Sequence, residues 1–448
     1  MTGKPVATLQ ADVVIAGSGP GGATVARELS RKGKKVILCE AGRYHKWFGY
    51  TASTMNILEG KGLTFSKEGN WILSAKTAGG GSVVYGGLAF KPPAWLRERY
   101  GLDLEQEVHE LYEEVPVRPL PETHIGPGAR KIMRAARDLG LDWKPNDRLI
   151  RPEKCKPDCG RCMHGCKENA KWTAREYLEE AIRRGSRLLL RTRVDRVLTE
   201  GGRAVGVRAR GPGGWIEIVA DTVVVSAGGL GTPPILQRSG LYDAGKGFVV
   251  DFGRFVCGPC ETQPSRYEIP AATGVNLEAD GIVLVDAAPK PFLYAVMLAL
   301  SGPGRWVAMP KVLQTKKTLG ILMMVKDELA GRINLDRSFS KPIDAPSWAK
   351  LNKGTVLAEE ILQRAGVRRK DIVTTAPFAA HQLSSVRIGE LLDENCQTPI
   401  RGCYCLDASV IPQEWGLPPM VTIVALGKRL AKHLTATART EAAEQRTA

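Results

Sequence analysis

Val13-Val14-Ile15-Ala16-Gly17-Ser18-Gly19-Pro20-Gly21-Gly22, followed by Val36-Ile37-Leu38-Cys39-Glu40, reads as strand, glycine turn, helix and second strand. Between the two apolar runs, Ala23, Val25, Ala26 and Leu29 fall on one helical face. In such a βαβ unit Gly17 makes the tight turn, Gly19 lets a pyrophosphate approach beside Ser18, and Gly22 permits close packing of the helix. Phosphate then lies on the helix N-terminus. Glu40, closing the second strand, stands where a carboxylate accepts from a ribose hydroxyl and disfavours a 2′-phosphate.

Outward from this unit, the 448-residue chain is long enough for two domains, at 43% hydrophobic and 25% charged residues. β-rich runs at Leu188-Leu189-Leu190, Val194 to Leu198, Val205-Gly206-Val207 and Val223-Val224-Val225 read as more of the first domain. A helical pattern is expected near 173–184. Strand-like stretches at 248–257, 282–286 and 320–325, with a helix at 355–365, suggest a separate substrate domain. The expected division is a nucleotide domain over 1–150, 176–245 and 376–435, a cysteine-rich segment over 151–175, a substrate domain over 246–375 and a frayed tail at 436–448.

The formal charge of +16 favours acidic proteins, anionic lipid or nucleic acid as partners. Lys and Arg are scattered, with no aromatic-interleaved basic stripe, so a nucleic-acid partner is not expected. No charged-then-apolar leader is apparent, which makes the cytoplasm the expected location. The apolar run from Pro291 to Leu300 is too short to span a bilayer, and core burial is favoured over a peripheral membrane contact or a place in a substrate cavity.

Ten cysteines without an export signal argue against a disulfide framework. Cys155, Cys159, Cys162 and Cys166 fall in one short run that resembles a ferredoxin cluster segment, with a longer first gap and Lys167 where proline usually follows. Four thiolates on one loop favour a [4Fe–4S] cluster over zinc, which usually takes two separated cysteine pairs, and over a segment without metal. Cys257-Gly258-Pro259-Cys260 has dithiol spacing but lies in strand-like sequence, and Cys403 and Cys405 could join it in a second metal site. Reduced buried thiols are the favoured reading of both pairs.

Three further stretches carry a resemblance. Gly79-Gly80-Gly81-Ser82-Val83-Val84-Tyr85-Gly86-Gly87 resembles the flavin loop of the glucose-methanol-choline oxidoreductases, most closely the cholesterol-oxidase branch. Ser226-Ala227-Gly228-Gly229-Leu230-Gly231-Thr232-Pro233 resembles that family's second signature. His381 to Gly389, with Cys405 to Pro412 and Pro419 to Ile423, resembles its C-terminal active-site segment.

The resemblance implies an α/β fold in which a Rossmann-like FAD domain, assembled from discontinuous segments, joins an α+β substrate domain with a mainly antiparallel sheet. It places Val194 near the adenine, Ala227 and Gly228 near the diphosphate, and Gly80, Gly81, Ser82, Gly86, Asp407, Pro419 and Met420 at the flavin end. His381 is implied as the catalytic base. The usual second partner, His or Asn, falls at Pro418, which has no side-chain donor or acceptor. Pro418-Pro419 is expected to begin the last helix, aiming its positive end at the ring.

The function expected is a dehydrogenase that takes hydride from an apolar CH–OH substrate and hands electrons, through the cluster, to a quinone or redox protein. A flavin/iron–sulfur enzyme acting on a C–C bond and a non-catalytic electron-transfer flavoprotein are the alternatives.

Overall fold

A strand buried on both faces must be continuously apolar, and Val13–Ala16, Val36–Glu40 and Thr222–Val225 have that composition. In the computed structural model they pair in parallel, and the sheet order is Cys403–Cys405, Thr222–Val225, Val13–Ala16, Val36–Glu40, Arg187–Leu190. The structure describes residues 7–46 and 49–447, and the side chains within them except at 51–52 and 438–447. Its two flanking sheet edges come from distant stretches of chain, so this layer is discontinuous. The helices Pro20–Arg31 and Arg175–Arg183 pack together, with Arg27 lying over the Tyr177 ring at 3.4 Å. A second, four-stranded sheet, Arg193–Glu200, Arg203–Gly211, Gly214–Val219 and Ala7–Gln10, stands beside it.

The second layer is a larger, mainly antiparallel sheet. Gly253–Pro259, Thr318–Val325, Ile282–Asp286 and Thr273–Leu277 form its centre, and helix Ala345–Arg364 covers it. This helix begins ten residues before the expected start, because Asp344 caps it by accepting from the Ser347 N–H at 2.8 Å. Trp71–Ile72 and Lys144–Pro145 are strands of the same sheet, and Ile132, Ala135 and Ala136 of helix Pro127–Asp138 belong to its core. The architecture is the expected α/β one, with a nucleotide-type parallel sheet and an α+β partner.

The final helix runs from Met420 to Thr447, through most of the stretch expected to be a frayed tail at 436–448. Its last turns are rich in Ala, Glu, Gln and Arg, strong helix formers that need little packing. The side chains of that tail beyond 437 lie outside the described residues. Among the described residues no helix is long and apolar enough to cross a membrane.

Candidate active site

The two glycine loops meet. A Cβ on Gly80 would stand 2.8 Å from the Gly19 Cα, and the Gly79 N–H donates to the Ser18 carbonyl at 3.1 Å. Gly17, at φ +103°, has no room either: a Cβ there would lie 2.1 Å from the Ser226 carbonyl oxygen. Gly22 packs equally tightly against the Gly17 carbonyl. No side chain caps helix Pro20–Arg31, whose N-cap is Gly19, so its first N–H groups remain available to an anion.

These loops line one end of a cavity of about 620 Å³ that runs between the two layers. Glu40 lines it while holding the turn, accepting from the Ser18 hydroxyl at 2.7 Å and the Gly42 N–H at 2.6 Å. Val194, Ala227, Gly228, Gly80, Gly81, Ser82, Gly86, Asp407, Pro419 and Met420 line the same cavity. Gly81 and Gly86 lack positive φ, and a Cβ on either would meet nothing within 4 Å. Their lack of a side chain therefore leaves space to a ligand, which is the fit expected of a dinucleotide running along the cavity. The Ala227 and Gly228 N–H groups are spent inside the protein, on the Thr232 hydroxyl at 3.0 Å and the Asp407 carboxylate at 2.8 Å. Asp407 thus acts as a clasp, since it also accepts from Thr232 Oγ1 at 2.6 Å and the Ser409 N–H at 2.8 Å. Pro418 and Pro419 precede the last helix, and the Pro419 carbonyl accepts its first bond, from the Ile423 N–H at 3.0 Å.

At the other end His381 and Pro418 face the cavity. His381 Nδ1 lies 3.3 Å from Asp251 Oδ2, and Asp251 is fully buried. Asp251 also accepts from the Gly416 N–H at 3.0 Å, on the loop that leads to Pro418. At φ +50° its backbone is left-handed, a strained conformation that the sheet edge and these two bonds hold in place. Sequence reasoning missed Asp251, because 130 residues separate it from His381. The walls around this end are Trp71, Phe255, Leu293, Val296, Met297 and Phe378.

A family model described as GMC oxidoreductase matches residues 54–255. A GMC-type oxidoreductase of Mycobacterium tuberculosis is 35% identical over 253 residues, 52% of this chain and 39% of that protein. The chain thus spans well under half the length of that relative. Over residues 54–255 the chain is thus similar to the GMC oxidoreductases.

Other relatives match along most of the sequence. A long-chain-alcohol oxidase of Arabidopsis thaliana is 26% identical over 94% of this chain and 67% of its own length. A protein of Methanocaldococcus jannaschii is 27% identical over 94% of this chain and 99% of its own. Among solved structures, pyridoxine 4-oxidase from Mesorbium loti superposes with a TM-score of 0.73 at 17% identity, covering 94% of this chain and 98% of that one. At that identity the likeness shows the fold.

Three buried cations brace the second glycine loop. Arg148 donates to the Gly86 carbonyl at 2.5 Å and to the Ala271 carbonyl at 2.7 Å, tying the loop to the second layer. Arg175 donates to the Ala78 carbonyl at 2.8 Å. Lys171 Nζ donates to the carbonyls of Val83 at 3.0 Å, Tyr85 at 2.7 Å and Cys162 at 2.8 Å. Burial lowers its pKa to about 8.

Lys171 therefore staples the cysteine segment to the glycine loop, and Met163 and His164 of that segment line the cavity. Burial, reinforced by Lys290, Lys171 and Arg161, pushes the His164 imidazole down to about 4. Cys155 is pushed up to about 12 by burial and then by Cys162, Cys159 and Cys166, so its sulfur lies within the field of the other three. Cys166 Sγ accepts from the N–H groups of Ala170 at 3.3 Å and Lys171 at 3.4 Å. Yet among the described residues no group of three or more His, Cys, Asp or Glu side chains is disposed to hold a metal ion. The four cysteines expected to hold a cluster therefore do not form a ligand set here. Cys257, Cys260, Cys403 and Cys405 are buried free thiols. Burial pushes Cys257 and Cys403 up to about 12.

Proposed function

We propose that this chain is an FAD-dependent dehydrogenase acting on the CH–OH group of an apolar alcohol, with electrons leaving through a [4Fe–4S] cluster on Cys155, Cys159, Cys162 and Cys166 to a quinone or redox protein. The observation that carries the reading is His381, held by buried Asp251 on the cavity that both glycine loops enter. Bound there, FAD supplies a two-electron acceptor for hydride.

The chain's own residues do the rest. Asp251 accepts from Nδ1–H of His381, which fixes the tautomer and leaves Nε2 to take the hydroxyl proton. Apolar walls at Phe255, Leu293, Val296, Met297 and Phe378 exclude water and fit an aliphatic substrate, in keeping with the long-chain-alcohol oxidase relative. The brace of Arg148, Lys171 and Arg175 puts fixed positive charge behind the glycine loop, which favours negative charge developing on its cavity side. For the cluster, support comes from the spacing of the four cysteines, the field of the other three at Cys155, and the two N–H donors on Cys166. Met163 and His164 on the cavity wall keep the path from flavin to cysteines short.

The test is iron, acid-labile sulfide and FAD content of anaerobically purified protein, with flavin bleaching by a series of primary alcohols. About four iron and four sulfide per FAD support the outgoing path. FAD without either sinks the cluster and leaves an alcohol oxidase. A second reading, action on a C–C bond, is favoured by Pro418, which lines the cavity but offers no second hydrogen bond to a hydroxyl. Bleaching by a saturated ketone or acid but by no alcohol selects it. A non-catalytic electron carrier instead predicts that His381→Ala leaves electron transfer intact.

A further inference from the structure

From Ala287 to Lys326 the chain has no acidic residue, while Lys290, Arg305, Lys311, Lys316, Lys317 and Lys326 fall within it. The same stretch holds helix Pro291–Leu300, apolar on every face. Its inner side chains Leu293, Val296 and Met297 line the cavity, so core burial accounts for only half of it. Phe292 lines the cavity too, yet is 48% exposed, which places it at a mouth. Beyond it Leu300, Trp306, Val307 and Leu313 are exposed, the last two by 84% and 91%. Trp306 Nε1 donates to the Ala299 carbonyl at 3.3 Å and pins this loop to the helix.

Apolar side chains that protrude this far, in one segment with a tryptophan and charges of a single sign, have the chemistry of an interfacial anchor. A protein partner would be met by a groove or a flat apolar face; Val307 and Leu313 stand out as knobs instead. We infer that residues 291–317 dock this protein on an anionic bilayer, Phe292, Trp306, Val307 and Leu313 entering the acyl boundary while Arg305, Lys316 and Lys317 meet the lipid headgroups. Lys311 is already engaged by Asp371, 3.5 Å away. An apolar substrate then passes from lipid to cavity beside Phe292 without crossing water. That delivery rests on the proposed oxidation of an apolar alcohol; the docking itself does not. At the start of the helix Lys290 donates to the Cys159 carbonyl at 2.9 Å, so the cysteine segment adjoins the docked face, where a quinone in the bilayer is within its reach.

The experiment is co-sedimentation of FAD-loaded protein with vesicles of phosphatidylcholine alone or mixed equally with phosphatidylglycerol. The wild type is expected on the mixed vesicles, released by salt, with a blue shift of emission that Trp306→Phe removes. Val307→Asp combined with Leu313→Asp lowers vesicle affinity by about tenfold or more and leaves flavin reduction by a short water-soluble alcohol unchanged. Equal vesicle binding by wild type and the double variant overturns the proposal. So does absence of wild-type binding, or a variant whose only defect is slower reduction of a soluble acidic acceptor. Since sedimentation needs no turnover, failure of the alcohol reading leaves this result intact, and the reverse holds as well.

Discussion

The two ends of the cavity are built on opposite plans. At the glycine-loop end, close backbone contacts do the work: Gly19 meets Gly80, and Gly17 lies against the Ser226 carbonyl. At the substrate end the lining comes from side chains far apart in sequence, His381 against Asp251, Phe255 stacked on Phe378 at 5.7 Å, and the inner face of helix Pro291–Leu300. Backbone recognition requires a fixed local shape, whereas a substrate pocket requires only that unlike side chains meet. The first plan tolerates almost no substitution, and the second is adjustable.

The sharpest break of that contrast sets Gly17→Ala beside Gly81→Ala. At Gly17 the methyl meets a carbonyl oxygen at 2.1 Å in a left-handed backbone, so the variant is expected to lose more than about 3 kcal/mol of stability and all bound FAD. At Gly81 the methyl meets no protein atom, so thermal unfolding of the apoprotein stays unchanged while FAD affinity falls. Equal loss of fold in both would refute the view that Gly81 is reserved for ligand.

At the other end, His381→Ala is expected to retain FAD and lose about a hundred- to ten-thousand-fold in kcat. Asp251→Asn, acting through His381, should cost about ten- to a hundredfold and shift the pH profile of kcat/KM, with FAD content intact. A variant that changes stability alone, with the profile unmoved, removes Asp251 from the mechanism.

A smaller effect concerns the scaffold behind the nucleotide end. Burial would raise the Glu114 carboxyl, but hydrogen bonds from Arg27 at 2.6 Å, Tyr177 at 2.7 Å and Lys428 at 3.1 Å outweigh it and hold it at about 2. Its folded value lies below the unfolded one, so its contribution is complete above about pH 4.5 and is lost as pH falls toward 2. Glu114→Gln should cost about 1 to 2 kcal/mol at neutral pH after solvent screening, a difference that shrinks in acid. Urea unfolding at pH 7 and pH 3 measures it.

Most of the parallel sheet was legible because its signal is local. Val13–Ala16, Val36–Glu40 and Thr222–Val225 announce themselves by composition, and the glycine turns by the backbone they permit. The helix at 345–364 was half seen, since its first turns, with Trp348 and Lys350, mix polar and apolar residues and only the Asp344 cap marks their start. Trp71–Ile72 escaped altogether: two residues carry no period, and the strand exists because Phe378–Ala379 lies beside it.

Within the candidate site, motif spacing named Gly17, Gly19, Gly22, Glu40 and the four cysteines, while the second glycine loop and His381 came from a family resemblance. Asp251, the Arg148–Lys171–Arg175 brace and the double life of helix Pro291–Leu300 belong to the tertiary structure alone. A motif is written along the chain because backbone geometry is local. A partner is chosen across the chain, because burial and hydrogen bonding depend on which surfaces the fold brings into contact, and no window of sequence contains both sides.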